Sequence, residues 1–198
     1  MSARKTSKRL NIRHKAATRI RRWEYVLNYF WLYLCEIVLT TMEKKQIVIS
    51  YEEYKDISEM SSGDQELCHA AIDAMSGAYA PYSHFHVGAA VRLDNGTIVK
   101  GANQENAAFP SGLCAERTAM FSASANYPDK AMVSIAVAGG VMGRLAESPA
   151  TPCGACRQVM AQYQTKGGHD MSVILIGDGR IQKFAKVDDI LPLIFDSI

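Results

Sequence analysis

Cys153-Gly154-Ala155-Cys156 stands directly behind Pro152, at the front of a stretch patterned as a helix. Residues three apart share a helix face, so both sulfurs point one way. A helix N-terminus also lowers a thiol pKa. On this spacing alone, a thioredoxin-like redox pair, a zinc site and a chance pair of buried cysteines stay equally open.

Cys114 narrows that choice. It too stands at a predicted helix start, with 38 residues (115–152) between it and the pair. Both helices follow predicted strands, so both N-termini can lie at one edge of one sheet. Three thiolates converging there match a zinc site with three protein ligands and an open fourth position, the catalytic arrangement. Cys68 falls in mid-helix and Cys35 lies in an N-terminal extension, so neither closes the site. His84 and His86 face alike on a strand and offer metal ligands, although solvent-facing histidines are commoner.

Glu116 follows Cys114 by two positions. In mid-helix two such side chains diverge. On a first turn, a metal can sit off the helix tip and the longer glutamate can curl toward it. The plainer reading is a first-turn acid that favours the helix dipole.

Around these residues the pattern alternates between helix and strand. Leu67, Ala70, Ala71, Ala74, Met75 and Ala78 recur at helical spacing and predict a helix from Asp64 to about Ala78, capped by Ser62 or Asp64. Phe85, Val87, Ala89 and Val91 alternate as a strand, and Asn95-Gly96 turns the chain into Thr97–Lys100. A helix is expected from near Gly112 to Ala125, a buried strand over Ala131–Ala138, and a helix from Cys153 to about Gln164. Strands over Met171–Ile176 and Ile181–Lys186 follow, then a short final helix in DDILPLIF. Helices between apolar strands predict an α/β fold, a three-layer α/β/α sandwich. Because a hairpin opens it, the sheet of about five strands should be mixed.

Charge divides the chain. Residues 1–41 carry nine Lys/Arg against two acids, while the rest carries thirteen against eighteen, balances of +7 and −5. A mildly acidic body does not fit a nucleic-acid binder. The apolar run from Trp23 to Leu39 is interrupted by Asn28 and Glu36, which weighs against a membrane anchor. The acid-poor start fits a targeting peptide loosely but lacks a small-x-small cleavage site. Residues 1–41 are read as an extension outside the functional unit, and residues 42–198 as one domain. An odd set of five cysteines with a CxxC pair fits a reducing compartment, so the expected location is cytoplasmic.

CAE at 114–116 with PCGAC at 152–156 resembles the signature of the zinc-dependent cytidine deaminases. The resemblance covers nearly all of residues 64–195. It includes PYSHFHVGAAV at 81–91, NQENAAFPSGLCAERTA at 103–119, CRQVM at 156–160 and LPLIF at 191–195. Relatives acting on deoxycytidylate, tRNA adenosine or DNA cytosine typically carry His as first ligand. The three-cysteine form is similar to the small homotetrameric enzymes that act on free cytidine and deoxycytidine.

This resemblance implies hydrolytic deamination with one Zn²⁺ per chain, held by Cys114, Cys153 and Cys156, and Glu116 as the proton carrier. Phe85 would pack on the pyrimidine, Asn103 and Glu105 would hold the ribose hydroxyls, and backbone groups around Ala115 would read the base edge. Phe195 would help close a neighbouring subunit's pocket in the tetramer. Three thiolates outweigh the charge of one Zn²⁺, and Arg117 and Arg157, each following a ligand, are candidates to donate to the sulfurs. The CAER pattern favours Arg117 in that role. Phe109 departs from the tyrosine frequent in relatives, which casts doubt on one hydrogen bond across a subunit interface. Competing readings are a related deaminase of another aminated heterocycle, such as a blasticidin-type substrate, a structural zinc module and a thiol redox protein.

Overall fold

A computed structural model describes residues 26–34 and 43–196. The chain divides into two units, Met1–Ile47 and Val48–Ile198. In the first, residues 26–34 are helical and expose Tyr29, Phe30, Trp31 and Tyr33. Among the described residues no helix is long and apolar enough to cross a membrane. The targeting-peptide reading of the basic N-terminal start falls outside the described residues.

The second unit contains six strands: β1 (Glu52–Tyr54), β2 (Phe85–Leu93), β3 (Ile98–Ala102), β4 (Met132–Val141), β5 (Ser172–Gly177) and β6 (Arg180–Phe184). Its helices are α1 (Ser62–Ala74), α2 (Ala115–Asn126) and α3 (Gly154–Gly167). The strands form one sheet in the order β1-β6-β5-β4-β2-β3. The β4–β5 pair is parallel and all others are antiparallel, so the sheet is mixed as expected.

Two aliphatic layers cover the sheet. Leu67, Cys68, Ala71 and Met75 at α1 pack on Ala90, Ala136, Ala138, Ile174 and Ile176. On the other face, Ala119 and Met120 of α2 and Met160 of α3 pack on Val91, Ile135, Val137, Val173 and Leu175. Because both faces are buried, β4 and β5 read as near-continuous apolar runs rather than alternating ones. Burying each large aliphatic side chain contributes roughly 1.5–3 kcal/mol. Small residues let α2 approach closely: a side chain on Gly101 would collide with the α2 backbone at Ala119.

Three expectations need correction. Ser61, not Ser62 or Asp64, caps α1: its hydroxyl accepts from Asp64 N at 3.2 Å, a contact worth about 1 kcal/mol. A sixth strand appears because Glu52–Tyr54 pairs with Arg180–Phe184 at the sheet edge, a long-range contact with no local signal. The expected closing helix is only the 3₁₀ turn Val187–Asp189, since Pro192 cannot donate within a helix.

The strand directions place the helix starts. Both β3 and β4 run antiparallel to β2, so both end at the edge where β2 begins. The chain leaving β3 enters α2 there, and the chain leaving β4 enters α3 there.

Candidate metal centre

Cys114 and Cys153 are the N-cap residues of α2 and α3. Each has extended backbone, its carbonyl accepts the first helical bond, and neither side chain caps its helix. Both sulfurs are thus turned off the helix tips. Cys156, one turn into α3, is fully buried. The Sγ atoms of Cys114 and Cys153 are 4.0 Å apart and those of Cys153 and Cys156 are 3.5 Å apart. All three lie within 4.8 Å of one another, the one such group of His, Cys, Asp or Glu ligands among the described residues. His84 and His86 are not part of it.

This cluster fits zinc. Three sulfurs each about 2.3 Å from one tetrahedral ion stand about 3.8 Å apart, within the range found here. The Cys114 thiol is brought down to about 5, chiefly by hydrogen bonding with Cys156, with Arg117 adding to it. Its thiolate form, the form that ligates, is therefore favoured. Cys156 is pushed up by its hydrogen bond to Cys114, with burial adding to the shift. Cys68 is buried on the opposite face of the sheet, beside Met60 Sδ at 4.0 Å.

Glu116 occupies the first turn of α2 and is only 4% exposed. Burial raises its carboxyl pKa, and the neighbouring Cys114 adds to the shift. The spacing of Cys114 and Glu116 is now explained: Cys114 precedes the helix, so the two are not bound to diverge around it. Arg117 Nη2 donates to Cys114 Sγ at 3.6 Å, and its Nε is buried with no hydrogen-bond partner. Arg157 does not share that task. Its Nε donates to Pro152 O at 2.8 Å and its Nη1 to Ile190 O at 3.1 Å, which ties the start of α3 to the C-terminal segment.

Cys114, Ala115, Glu116 and Cys153 line a cavity of about 350 Å³, with Phe85 and Asn103 on its other walls. A second cavity of about 580 Å³, lined by Glu105, Tyr82, Phe109 and Arg117, shares Asn103 and Cys114 with it. Asn103 is partly committed: its Oδ1 accepts from Val87 N at 2.8 Å and its Nδ2 donates to Phe85 O at 2.9 Å. Glu105 Oε2 accepts from Tyr82 N at 2.9 Å and Ser83 N at 3.3 Å. Hydrogen bonds from Ser83 and Tyr82 hold this carboxyl below the usual range. Phe195 lies outside both cavities. The residue is 68% exposed and its backbone is held by Gln158.

Sequence reasoning missed Val87, Val137, Ala150 and Thr151, which complete the smaller cavity. Val87 sits in the alternating run of β2 and Val137 in the continuous apolar run of β4, and neither carries a mark separating pocket floor from core. The alanine and threonine reach the cavity through the path of the loop before Cys153.

A family model described as cytidine and deoxycytidylate deaminase zinc-binding region matches residues 61–167. A cytidine deaminase of Halalkalibacterium halodurans is 47% identical over 98 residues, 50% of this chain and 70% of that protein. One from Mycobacterium tuberculosis is 35% identical over 103 residues, 52% of this chain and 71% of that protein. The crystal structure of a cytidine deaminase from Burkholderia pseudomallei superposes with a TM-score of 0.59 at 39% identity, covering 69% of this chain and all of that one.

Proposed function

The chain belongs to the cytidine and deoxycytidylate deaminase family, and we propose that it hydrolyses free cytidine and deoxycytidine to uridine and deoxyuridine, releasing ammonia. The observation that carries this reading is the three-sulfur cluster, of which Cys114 and Cys153 line the same cavity as buried Glu116. Cys114, Cys153 and Cys156 hold one zinc. When bound there, zinc supplies Lewis acidity that makes water nucleophilic near neutral pH.

Glu116 moves the protons. Its carboxylate accepts a proton from the attacking water and passes it to N3 of the ring, then accepts the proton of the hydroxyl now on C4 and passes it to the departing amino nitrogen. Water adds at C4, the C4–N bond breaks, and the nitrogen leaves as ammonia. Phe85 packs on the pyrimidine ring, and backbone groups around Ala115 orient the base edge. Asn103 and Glu105 face the ribose. Both already hold backbone atoms around Phe85, so they also set the wall on which the base lies. Arg117 tempers the excess negative charge of three thiolates.

Residues 42–198 form the functional unit. The exposure of Phe195 supports a role in closing a neighbouring subunit's pocket in a homotetramer. Cytoplasmic location follows from the free thiols this chemistry needs.

An ultraviolet assay of cytidine and deoxycytidine, with and without a zinc chelator, tests the reading. Loss of activity on chelation and its return with zinc are expected. Turnover of a different aminated heterocycle such as blasticidin S, with neither nucleoside deaminated, would overturn the substrate assignment.

A further inference from the structure

On the face of β4 that floors the smaller cavity, Val137 is followed two residues later by Gly139, which has no side chain to present. Gly139 pairs with Val87 of β2, and Phe85 pairs with Val141. The gap at Gly139 is filled from two directions. A Cβ built there would meet Ala150 Cβ at 2.8 Å and Phe85 Cε1 at 3.1 Å, with Phe85 Cζ at 3.5 Å. The Phe85 ring edge and the Ala150 methyl therefore both rest against bare backbone.

Ala150 is held there by the loop that carries it. Ala146 N donates to Gly139 O at 3.0 Å, and Asp178 N donates to Ala146 O at 2.8 Å. Side chains on Gly140 or Gly177 would run into the loop backbone, at Arg144 for the first and at Glu147 and Pro149 for the second. Glycines at the ends of β4 and β5 thus form a flat platform on which residues 144–149 lie. Three residues after Ala150 the same segment delivers Cys153.

The geometry points to Gly139 as a specificity-determining position: its missing side chain seats Phe85 and Ala150 together, and so fixes the depth of the base pocket. This rests on the reading of Phe85 as the wall against the pyrimidine. A methyl at Gly139 has no room to settle. The Ala150 Cβ is not the tip of a flexible chain, so the ring edge is the part driven into the cavity.

The test compares the wild-type enzyme with Gly139→Ala, Ala150→Gly and the double variant, all loaded with zinc. It reads kcat and KM for cytidine, zinc content, and the Kd for uridine by calorimetry. Gly139→Ala is expected to raise KM and Kd about tenfold with full zinc content and kcat within about threefold. Adding Ala150→Gly removes the tightest contact and should recover most of that loss. Unchanged KM and Kd in Gly139→Ala overturn the inference while leaving the proposed function intact. So does a Gly139→Ala chain that fails to fold even with Ala150→Gly, because the position then serves stability alone. A wild type that neither deaminates cytidine nor binds uridine overturns the proposed function, and the inference with it.

Discussion

The Arg117 guanidinium donates to Cys114 Sγ at 3.6 Å through Nη2, while Nε of the same group is buried without a partner. An arginine left partly unsatisfied inside a protein is costly unless its charge is answered, and here a thiolate answers it. Arg117→Ala should leave all three ligands in place and bind zinc, yet lower kcat/KM for cytidine by about 10–100-fold. Zinc analysis alongside steady-state kinetics checks both halves. Unchanged kinetics would remove Arg117 from the site's electrostatics.

Glu116→Gln keeps the shape of the buried side chain and removes its ability to take a proton. Deamination of cytidine should fall by about 10³-fold or more, with zinc content and circular dichroism unchanged. A variant with near wild-type turnover would return Glu116 to the role of a helix-dipole acid.

Cys153→Ala removes a sulfur from between two helix tips. The remaining pair offers too few ligands for tight binding, so zinc per chain should drop and the thermal midpoint should fall with it, because metal binding and folding free energy are linked. Elemental analysis and a melting curve with and without chelator measure this. Full zinc content in the variant would exclude the three-sulfur site.

Burial pushes the Cys68 thiol up to about 12, against 9.0 for an ordinary thiol. Folding therefore disfavours the thiolate. The stability this group contributes is complete below about pH 9 and is lost as pH rises toward 12. Native protein treated with iodoacetamide at mildly alkaline pH should leave Cys68 unlabelled by mass spectrometry, and urea should make it react. Cys68→Ala should flatten the alkaline fall in the unfolding midpoint relative to wild type.

A chain beginning at Met42 should keep full activity on cytidine, since every proposed site residue lies in the unit Val48–Ile198. An inactive or unfolded shortened chain would assign residues 1–41 a place in the functional unit.

Much of the site was legible locally because its chemistry sits at helix starts. Strand, loop and helix onset are encoded over a few residues by apolar runs, Pro152 and the shift to helix formers. Cys114, Cys153 and Cys156 could therefore be assigned to two N-termini before any packing was known. The mixed sheet was legible for the same reason, through the Asn95-Gly96 hairpin and the apolar runs of β4 and β5. Less local features were not. β1 exists only because Glu52–Tyr54 finds β6 about 130 residues later, at 183↔52 in the register, and Arg157 could equally have turned to a sulfur.

By itself the sequence determined three candidate sulfur ligands, the helix starts that carry them and an acid two residues from the first, because helix and strand periodicity and capping act over short range. Only the tertiary structure decided which side chains share the cavity. The antiparallel run of β3 and β4 past β2 brings Cys114, Cys153 and Phe85 to one edge. Close packing at Gly139 and Ala150 then sets how far the Phe85 ring reaches into the space between them. Those are contacts between residues far apart in the chain, and they depend on steric fit that no local pattern encodes.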